Sequence, residues 1–172
     1  MNSKSLKLLF FVIAFVAFVL NACFESSEKA LTETQVPSAI LKAFNQAYPK
    51  AILREYKEEI EDGQKFYEIS FRKEGHKIDV LYSQDGVVIE ISESISLEEL
   101  PLAIQNELNK SFSKYEIEES EKISKDTDIF YEVELMVESD GEFQKYEIVF
   151  SEDGRVVEEK KDEENDDEDE DR

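Results

Sequence analysis

The chain has 172 residues and a formal net charge of −22, so it has room for one ordinary domain or two small ones. The run from Glu158 to Arg172 supplies 11 acidic and 3 basic residues, about a third of the excess charge. No basic stripe is present that would bind a phosphate backbone, which argues against a nucleic-acid partner. A single cysteine and a single histidine exclude an intramolecular disulfide, a Cys/His metal cluster and a Cys–His nucleophile pair.

The first 22 residues have the organisation of an export signal. Two lysines precede an unbroken apolar run over residues 8–20, which is shorter than the about 20 residues that a membrane-spanning helix needs. The run ends in Leu20-Asn21-Ala22-Cys23, which resembles the lipobox of bacterial lipoproteins. We therefore expect Cys23 to carry fatty acyl chains that anchor the chain to a membrane. The alternative is an ordinary secretory signal, or a short uncleaved anchor, with an incidental cysteine.

An internal repeat organises the remaining chain. The motif Thr32-x-x-Gln35-Val36-Pro37-x-Ala39-Ile40 recurs 64 residues later as Ser96-x-x-Glu99-Leu100-Pro101-x-Ala103-Ile104. After a four-residue insertion near Gly141 the shift becomes 68, and Ser83-Gln84-Asp85-Gly86 matches Ser151-Glu152-Asp153-Gly154. This register holds over too many positions to arise by chance, so the chain contains a tandem duplication.

Each repeat has the pattern of a helix followed by four strands. Capping-box pairs at Thr32/Gln35 and Ser96/Glu99, each followed by a proline, predict helix starts. Strands are predicted at 51–60, 65–73, 76–83 and 87–92, and again near 115–124, 129–138, 143–151 and 154–159, between Asp- and Gly-containing turns. The predicted fold class is α+β: two tandem repeats of a helix plus a four-stranded antiparallel meander, with the helices packed on one face of the sheet or sheets.

The predicted domain organisation follows from these patterns. It comprises a lipoprotein signal peptide at 1–22, the lipidated cysteine and a polar tether at 23–31, repeat 1 at 32–95, repeat 2 at 96–159 and a disordered acidic tail at 160–172.

These motifs together resemble the PepSY-like family, whose members are described as β-lactamase-inhibitor-like. The resemblance covers roughly residues 32–160 and lies in Tyr48-Pro49, Phe66-Tyr67-Glu68-Ile69 and Tyr82-Ser83-Gln84-Asp85-Gly86, with Phe130-Tyr131-Glu132-Val133 and Phe150-Ser151-Glu152-Asp153-Gly154 in the second repeat. The second repeat departs from the pattern because no proline follows Phe112. The resemblance implies a binding or inhibitory role, and it assigns no catalytic residue.

The open face of the sheet is the candidate binding surface. Strand alternation places acidic side chains there among apolar ones, a composition that fits a docking surface for a protein or peptide and fits an idle solvated face equally. The residues proposed for this face are Glu68, Ser70, Arg72, Leu81, Val88, Glu132, Glu134, Met136 and Val149. His76, Ser83 and Ser151 lie at hairpins and are interpreted as turn residues.

The sequence therefore predicts a non-enzymatic lipoprotein of the cell envelope, anchored to the outer membrane on its periplasmic side or at the cell surface. It would bind, and through binding inhibit or modulate, an envelope or secreted protein. No catalytic residue, metal site, cofactor or nucleic-acid partner is predicted. The alternative is an envelope sensor that binds a cation or small ligand through its acidic tail or hairpin loops.

Overall fold

The computed structural model describes residues 27–61, 63–139 and 141–161. Its regular elements in these ranges are β1 (Ser27–Leu31), α1 (Ser38–Ala47), β2 (Ile52–Glu61), β3 (Gln64–Lys73), β4 (His76–Ser83), β5 (Val88–Ser94), α2 (Leu102–Ser111), β6 (Tyr115–Lys125), β7 (Asp128–Ser139), β8 (Glu142–Ser151) and β9 (Val156–Lys161). The signal peptide, Cys23 and most of the acidic tail were predicted from segments that lie outside the described residues.

The strands form one nine-stranded antiparallel sheet in the order β1 to β9. The predicted fold class, two tandem helix-plus-four-strand repeats with helices packed on the sheets, is therefore wrong as an architecture, because the strands of both repeats and a ninth strand form one sheet. The sheet begins with β1, in a segment that the sequence assigned to a polar tether. Ser27, Glu28 and Lys29 carry no apolar alternation, but β1 pairs along its full length with β2, and backbone hydrogen bonds to a neighbour form a strand without an apolar face.

The chain divides into two compact units. Among the described residues, the first unit contains 27–94 and 122–129, and the second contains 95–121 and 130–161. The tip of the β6–β7 hairpin therefore belongs to the first unit.

The capping-box motifs lie at short 3₁₀ turns, Glu33–Gln35 and Leu97–Glu99, which precede the α-helices. The backbone N–H of Thr32 donates to Gln35 Oε1 at 2.8 Å, and that of Ser96 donates to Glu99 Oε2 at 2.8 Å. The α-helices start only after Pro37 and Pro101. The motif thus marks the approach to each helix rather than its first residue.

The first unit buries the apolar stripe of α1 against β3 and β4. Ile40 and Phe44 are fully buried in one cluster with Ile69, Phe71 and Val80. The Phe44 and Phe71 rings meet edge to face at 5.1 Å, a favourable arrangement for aromatic pairs. Because strand side chains alternate between the two faces, packing of Ile69 and Phe71 in this core places Glu68 and Ser70 on the opposite side of the sheet.

The second unit buries the corresponding set of residues. Ile104 and Leu108 of α2 are buried, as are Val133 and Leu135 of β7. The same alternation places Glu132, Glu134 and Met136 on the side of β7 that points away from these buried residues. In each unit we call the side of the sheet that points away from the buried apolar residues the outer face.

Candidate functional site

The outer face of the first unit is a row of directly opposed residues on four strands. Lys57 lies opposite Glu68, Glu68 opposite Leu81, and Leu81 opposite Glu90. Directly opposed residues in antiparallel strands have their side chains on the same face, close enough to interact. The row therefore combines two carboxylates, one ammonium group and one aliphatic side chain.

Lysines neutralise part of this acidic row. Lys57 Nζ lies 3.5 Å from Glu68 Oε1 and 3.4 Å from Glu28 Oε2, and Lys125 Nζ lies 3.6 Å from Glu90 Oε2. The Ser70 hydroxyl donates to Glu68 Oε1 at 3.1 Å. Glu68 thus has two partners, and Lys57 is shared between two carboxylates.

Glu59 is the carboxylate that this arrangement leaves least compensated. It lies between Glu28 of β1 and Phe66 of β3. Burial, together with the neighbouring charges of Glu68 and Glu28, raises the pKa of Glu59 to about 7 despite the lowering effect of Lys57. Burial also raises the pKa of Glu90. Near neutral pH, the first unit therefore holds a half-buried carboxylate that a nearby cation would stabilise.

The outer face of the second unit is organised around two lysines. Lys145 Nζ lies 2.6 Å from Glu134 Oε2 and 3.4 Å from Glu118 Oε2. Lys160 Nζ lies 2.6 Å from Glu147 Oε1. These half-exposed ion pairs hold the side chains of neighbouring strands in register and contribute little stability individually.

Glu132 occupies the centre of this second face, directly opposite Val149. Burial, together with the neighbouring charges of Glu147 and Glu121, raises the pKa of Glu132 to about 7 despite the lowering effect of Lys160. In each unit burial and adjacent carboxylates raise the pKa of one glutamate, Glu59 or Glu132, to about 7. We call these two glutamates the uncompensated glutamates.

The structure distributes the sequence-predicted surface over both units. Glu68, Ser70, Arg72 and Leu81 share the outer face of the first unit, and Glu132, Glu134, Met136 and Val149 share that of the second. Val88 does not share the outer face with the other residues that the sequence placed there. A register shift between Leu81 and Tyr82 places Val88 opposite Tyr82, whose side chain is buried in the core.

Several outer-face residues were not identified from the sequence, among them Glu59, Lys145 and Lys160. Glu59 lies in β2, where Glu55, Tyr56, Lys57 and Glu58 give no apolar–polar alternation from which a face is recognisable. Lys145 lies on β8 at alternate positions with Glu147 and Val149, so that all three side chains are on one face. Lys160 of β9 lies directly opposite Glu147 and shares that face. The sequence signal from which both lysines could have been assigned to the outer face is this alternation of side chains along the strands.

The two hairpin serines make contacts within their own turns, whereas His76 contacts the neighbouring strand β5. The Ser83 and Ser151 hydroxyls donate to Asp85 and Asp153 at 2.6 Å within their turns, and His76 Nδ1 lies 2.7 Å from the Ser94 carbonyl oxygen. Across the described ranges, no group of three or more His, Cys, Asp or Glu side chains is arranged to hold a metal ion. Within the same ranges, no helix has the length and apolar character needed to span a bilayer.

Comparison with known families identifies both repeats. The family model described as "Putative beta-lactamase-inhibitor-like, PepSY-like" matches residues 18–90 and again residues 89–158. The two matches divide the chain near the boundary that the internal repeat indicates. No curated protein matches the chain.

Several solved structures share the fold. A protein of Bacteroides eggerthii described as a "putative periplasmic" protein is 19% identical, with a TM-score of 0.63 over 73% of this chain and 88% of its own. A DUF2874 family protein of Bacteroides uniformis is 18% identical, with a TM-score of 0.62 over 73% and 88%. A BLIP-like protein of Bacteroides fragilis is 20% identical, with a TM-score of 0.57 over 75% and 88%. At these identities the likeness establishes the fold alone.

Proposed function

The chain belongs to the PepSY-like, β-lactamase-inhibitor-like family, and from this premise we propose that it is a non-enzymatic binding module of the cell envelope. It docks a protein or peptide with a basic surface on the outer face of its sheet, and by docking inhibits or modulates that partner. The observation that carries the proposal is the pair of uncompensated glutamates, Glu59 and Glu132.

The uncompensated glutamates favour a basic partner for an energetic reason. Burial has already removed part of the water around each carboxylate, so that the cost of desolvation on binding is reduced. A lysine or arginine from a partner would replace repulsion from Glu28, Glu68, Glu121 or Glu147 with attraction. The apolar neighbours Leu81 and Val149 offer contact area beside these charges. At low salt, where screening is weak, the net charge of −22 adds long-range attraction for the same partners.

The proposed location is the cell envelope, with a lipid anchor at Cys23. The lipobox-like end of the N-terminal apolar run supports this placement. The periplasmic description of the B. eggerthii structure is consistent with it. On this proposal, the acyl chains hold the binding module at the outer membrane, on its periplasmic side or at the cell surface.

The test replaces the two uncompensated glutamates without endangering the fold. In the variant Glu59→Gln/Glu132→Gln, glutamine keeps the side-chain shape and removes two charges that repel their neighbours, so that stability stays unchanged or rises. The chain from Phe24 to Arg172 is immobilised and incubated with envelope proteins of the source bacterium at low salt. We expect a retained partner to be purified and to bind the variant about tenfold more weakly per lost contact.

The matched control is Glu33→Gln/Glu98→Gln, which removes two exposed carboxylates from the 3₁₀ turns and gives the same net charge. Binding that depends on the outer face falls in the first variant and persists in the control. An equal loss in both variants would mean that only overall charge matters. Undiminished binding by the first variant would exclude docking through these glutamates. A further variant, Leu81→Lys/Met136→Lys, tests the apolar part of both outer faces.

A further inference from the structure

One end of the first unit combines exposed apolar and basic side chains. Ile52 is 62% exposed and Leu53 is 72% exposed at the start of β2. Ile52 lies directly opposite Arg72 of β3, so that both side chains leave the sheet on the same face. Further cations adjoin them along the chain. The residues at this end of the sheet lie on both of its faces, because Arg72 is on the outer face and Arg54 lies beside Phe44 on the side of α1. We define the basic apolar patch at this end of the sheet as Lys50, Ile52, Leu53, Arg54, Arg72 and Lys73.

The four cations of this patch differ from the lysines of the outer faces. Lys57, Lys145 and Lys160 each contact carboxylates at 2.6 to 3.8 Å. Among the described residues, none of the four patch cations forms such an ion pair. The patch residues lie in the segments 50–55 and 72–74, where the carboxylates are those of Glu55 and Glu74. The patch is therefore locally basic in a strongly acidic protein.

Arg54 is held on the α1 side of this end of the sheet. Its guanidinium lies 5.0 Å from the centroid of the Phe44 ring, donates from Nη1 to Asn45 Oδ1 at 2.8 Å and donates from Nε to the Ala51 carbonyl oxygen at 3.3 Å. These contacts involve no carboxylate, so the positive charge of Arg54 is retained at the surface while its side chain is held in place.

Leu53 is the unusual residue of the patch. Its φ angle is +52°, in the left-handed region that favours glycine, and the β2–β3 register shifts between Ile52 and Glu55. Neither core packing nor backbone preference accounts for a leucine here, because the side chain is exposed and the conformation is strained. Strained residues of this kind are concentrated where a protein contacts something else.

The second repeat lacks the patch. The positions equivalent to Ile52 and Arg54 are Glu116 and Glu118, and the position equivalent to Arg72 is Met136. Lys114, the equivalent of Lys50, forms an ion pair with Glu138 at 3.1 Å. The fold of the repeat therefore does not require these residues, and the patch is a property of the first repeat alone.

We propose that the basic apolar patch docks on an anionic phospholipid membrane. Ile52 and Leu53 enter the headgroup layer, and the four cations contact lipid phosphates. The net negative charge of the protein does not prevent this contact, because charges more than about 8 Å apart are largely screened at physiological salt. An acidic protein surface would pair with the cations, but a lipid surface also removes two exposed aliphatic side chains from water.

This contact would orient the domain if Cys23 is acylated. Ser27, four residues after Cys23, lies opposite Ile60 at the far end of β2 from Ile52. The separation of eight residue positions from Ile52 to Ile60 corresponds to about 27 Å of strand. Acyl chains attached near one end of β2 and the patch at the other end would hold this strand along the membrane surface.

The test uses the chain from Phe24 to Arg172, which cannot be acylated and keeps every described residue. Co-sedimentation is measured with vesicles of equal parts phosphatidylglycerol and phosphatidylcholine, and with vesicles of phosphatidylcholine alone. At physiological salt we expect binding to the anionic vesicles, and we expect it to weaken as the salt concentration is raised further. Arg72→Gln/Lys73→Gln lowers the affinity about fivefold for each lost cation. Leu53→Gly also lowers it, while relieving the strained φ angle, so that a loss of binding is separable from a loss of folding.

Two control variants carry equivalent changes in the second unit. Phe143→Ser removes an aromatic side chain that is 62% exposed, and Lys110→Gln/Lys161→Gln removes two exposed cations. We expect both to bind vesicles as the wild type does. The proposal is overturned if the wild type does not bind anionic vesicles, if it binds phosphatidylcholine equally, or if the controls lose as much binding as the patch variants.

Discussion

The two repeats differ in the charged side chains that surround an equivalent glutamate. Glu68 and Glu132 occupy equivalent positions, but Lys57 lies opposite Glu68, whereas the residue equivalent to Lys57 in the second repeat is Glu121. Lys57 contacts Glu68 at 3.5 Å, and the strongly raised pKa of the first unit belongs to Glu59 instead. Glu121 adds repulsion, and in the second unit Glu132 itself has a pKa of about 7.

This difference shows that duplication has preserved the buried positions of the repeat but not the charges on its outer face. The buried apolar positions of the two repeats correspond, because each helix needs an apolar strand face beneath it. The outer faces are not constrained by packing, so a lysine on one strand and a glutamate on its equivalent are both compatible with the fold. Binding specificity can therefore diverge between repeats on a common backbone.

The largest expected effect on stability concerns the glycines at which the β4–β5 and β8–β9 turns approach a helix in each repeat. Gly154 has a φ of +82°, and a Cβ there would lie 2.8 Å from Ala103 Cβ in the first turn of α2. At Gly86 the nearest atom, the carbonyl carbon of Ala39, would be 3.2 Å away. We expect Gly154→Ala to lower the free energy of unfolding by about 3 kcal/mol and Gly86→Ala by about 2 kcal/mol, measured by urea denaturation.

Gly141→Ala is the control for that comparison. Gly141 also has a positive φ, but nothing lies within 4 Å of a Cβ built on it. It therefore measures the conformational cost alone, about 1 kcal/mol. If Gly141→Ala were as destabilising as Gly154→Ala, close approach to the helix would not be the reason for glycine at Gly154.

A smaller effect is expected from the Lys57/Glu121 difference. Because the folded-state pKa of Glu132 is raised from 4.5 to about 7, the folded state binds a proton more tightly than the unfolded state does. Ionisation of Glu132 therefore costs stability above pH 7, and this cost is relieved as the pH falls from about 7 towards 4.5. After allowance for solvent screening, we expect Glu132→Gln to remove about 1 kcal/mol of this pH dependence.

Glu121→Lys sharpens the same comparison by giving the second repeat the residue of the first. We expect the carboxyl resonance of Glu132 to titrate at lower pH in this variant, measured by NMR. Glu142→Gln, at an exposed position in β8, should leave the titration of Glu132 unchanged. An unaltered titration in Glu121→Lys would mean that Glu121 does not contribute to the raised pKa of Glu132.

Much of the secondary structure was predictable because local signals determine it. The eight predicted strands lie within two residues of β2 to β9, since Asp- and Gly-containing turns and apolar alternation bound them. β1 was missed because an edge strand with polar side chains lacks alternation. Its formation depends on pairing with β2, which is a tertiary interaction. The single nine-stranded sheet was missed for a similar reason, because strand order is not encoded in any one segment.

The candidate surfaces were predictable in part. Alternation in β3 and β7 placed Glu68 and Glu132 on the outer face, because both strands have a regular apolar side. Val88 was misplaced because a register shift between Leu81 and Tyr82 breaks the alternation that the prediction used. The basic apolar patch escaped notice because Ile52 and Arg72 are distant in sequence and become neighbours only when β2 and β3 pair.

The smallest expected effect compares two buried rings. Tyr82 and its repeat equivalent Phe150 are each 1% exposed. Among the described residues, the Tyr82 hydroxyl has no hydrogen-bond partner, and burial raises its pKa to about 12. Removal of a buried, unsatisfied hydroxyl should be neutral or stabilising, so we expect Tyr82→Phe to raise the free energy of unfolding by up to about 1 kcal/mol. Phe150→Tyr, the reciprocal change, should lower it by about 1 kcal/mol. Both values come from urea denaturation, and a loss of stability in Tyr82→Phe would mean that an ordered water satisfies the hydroxyl.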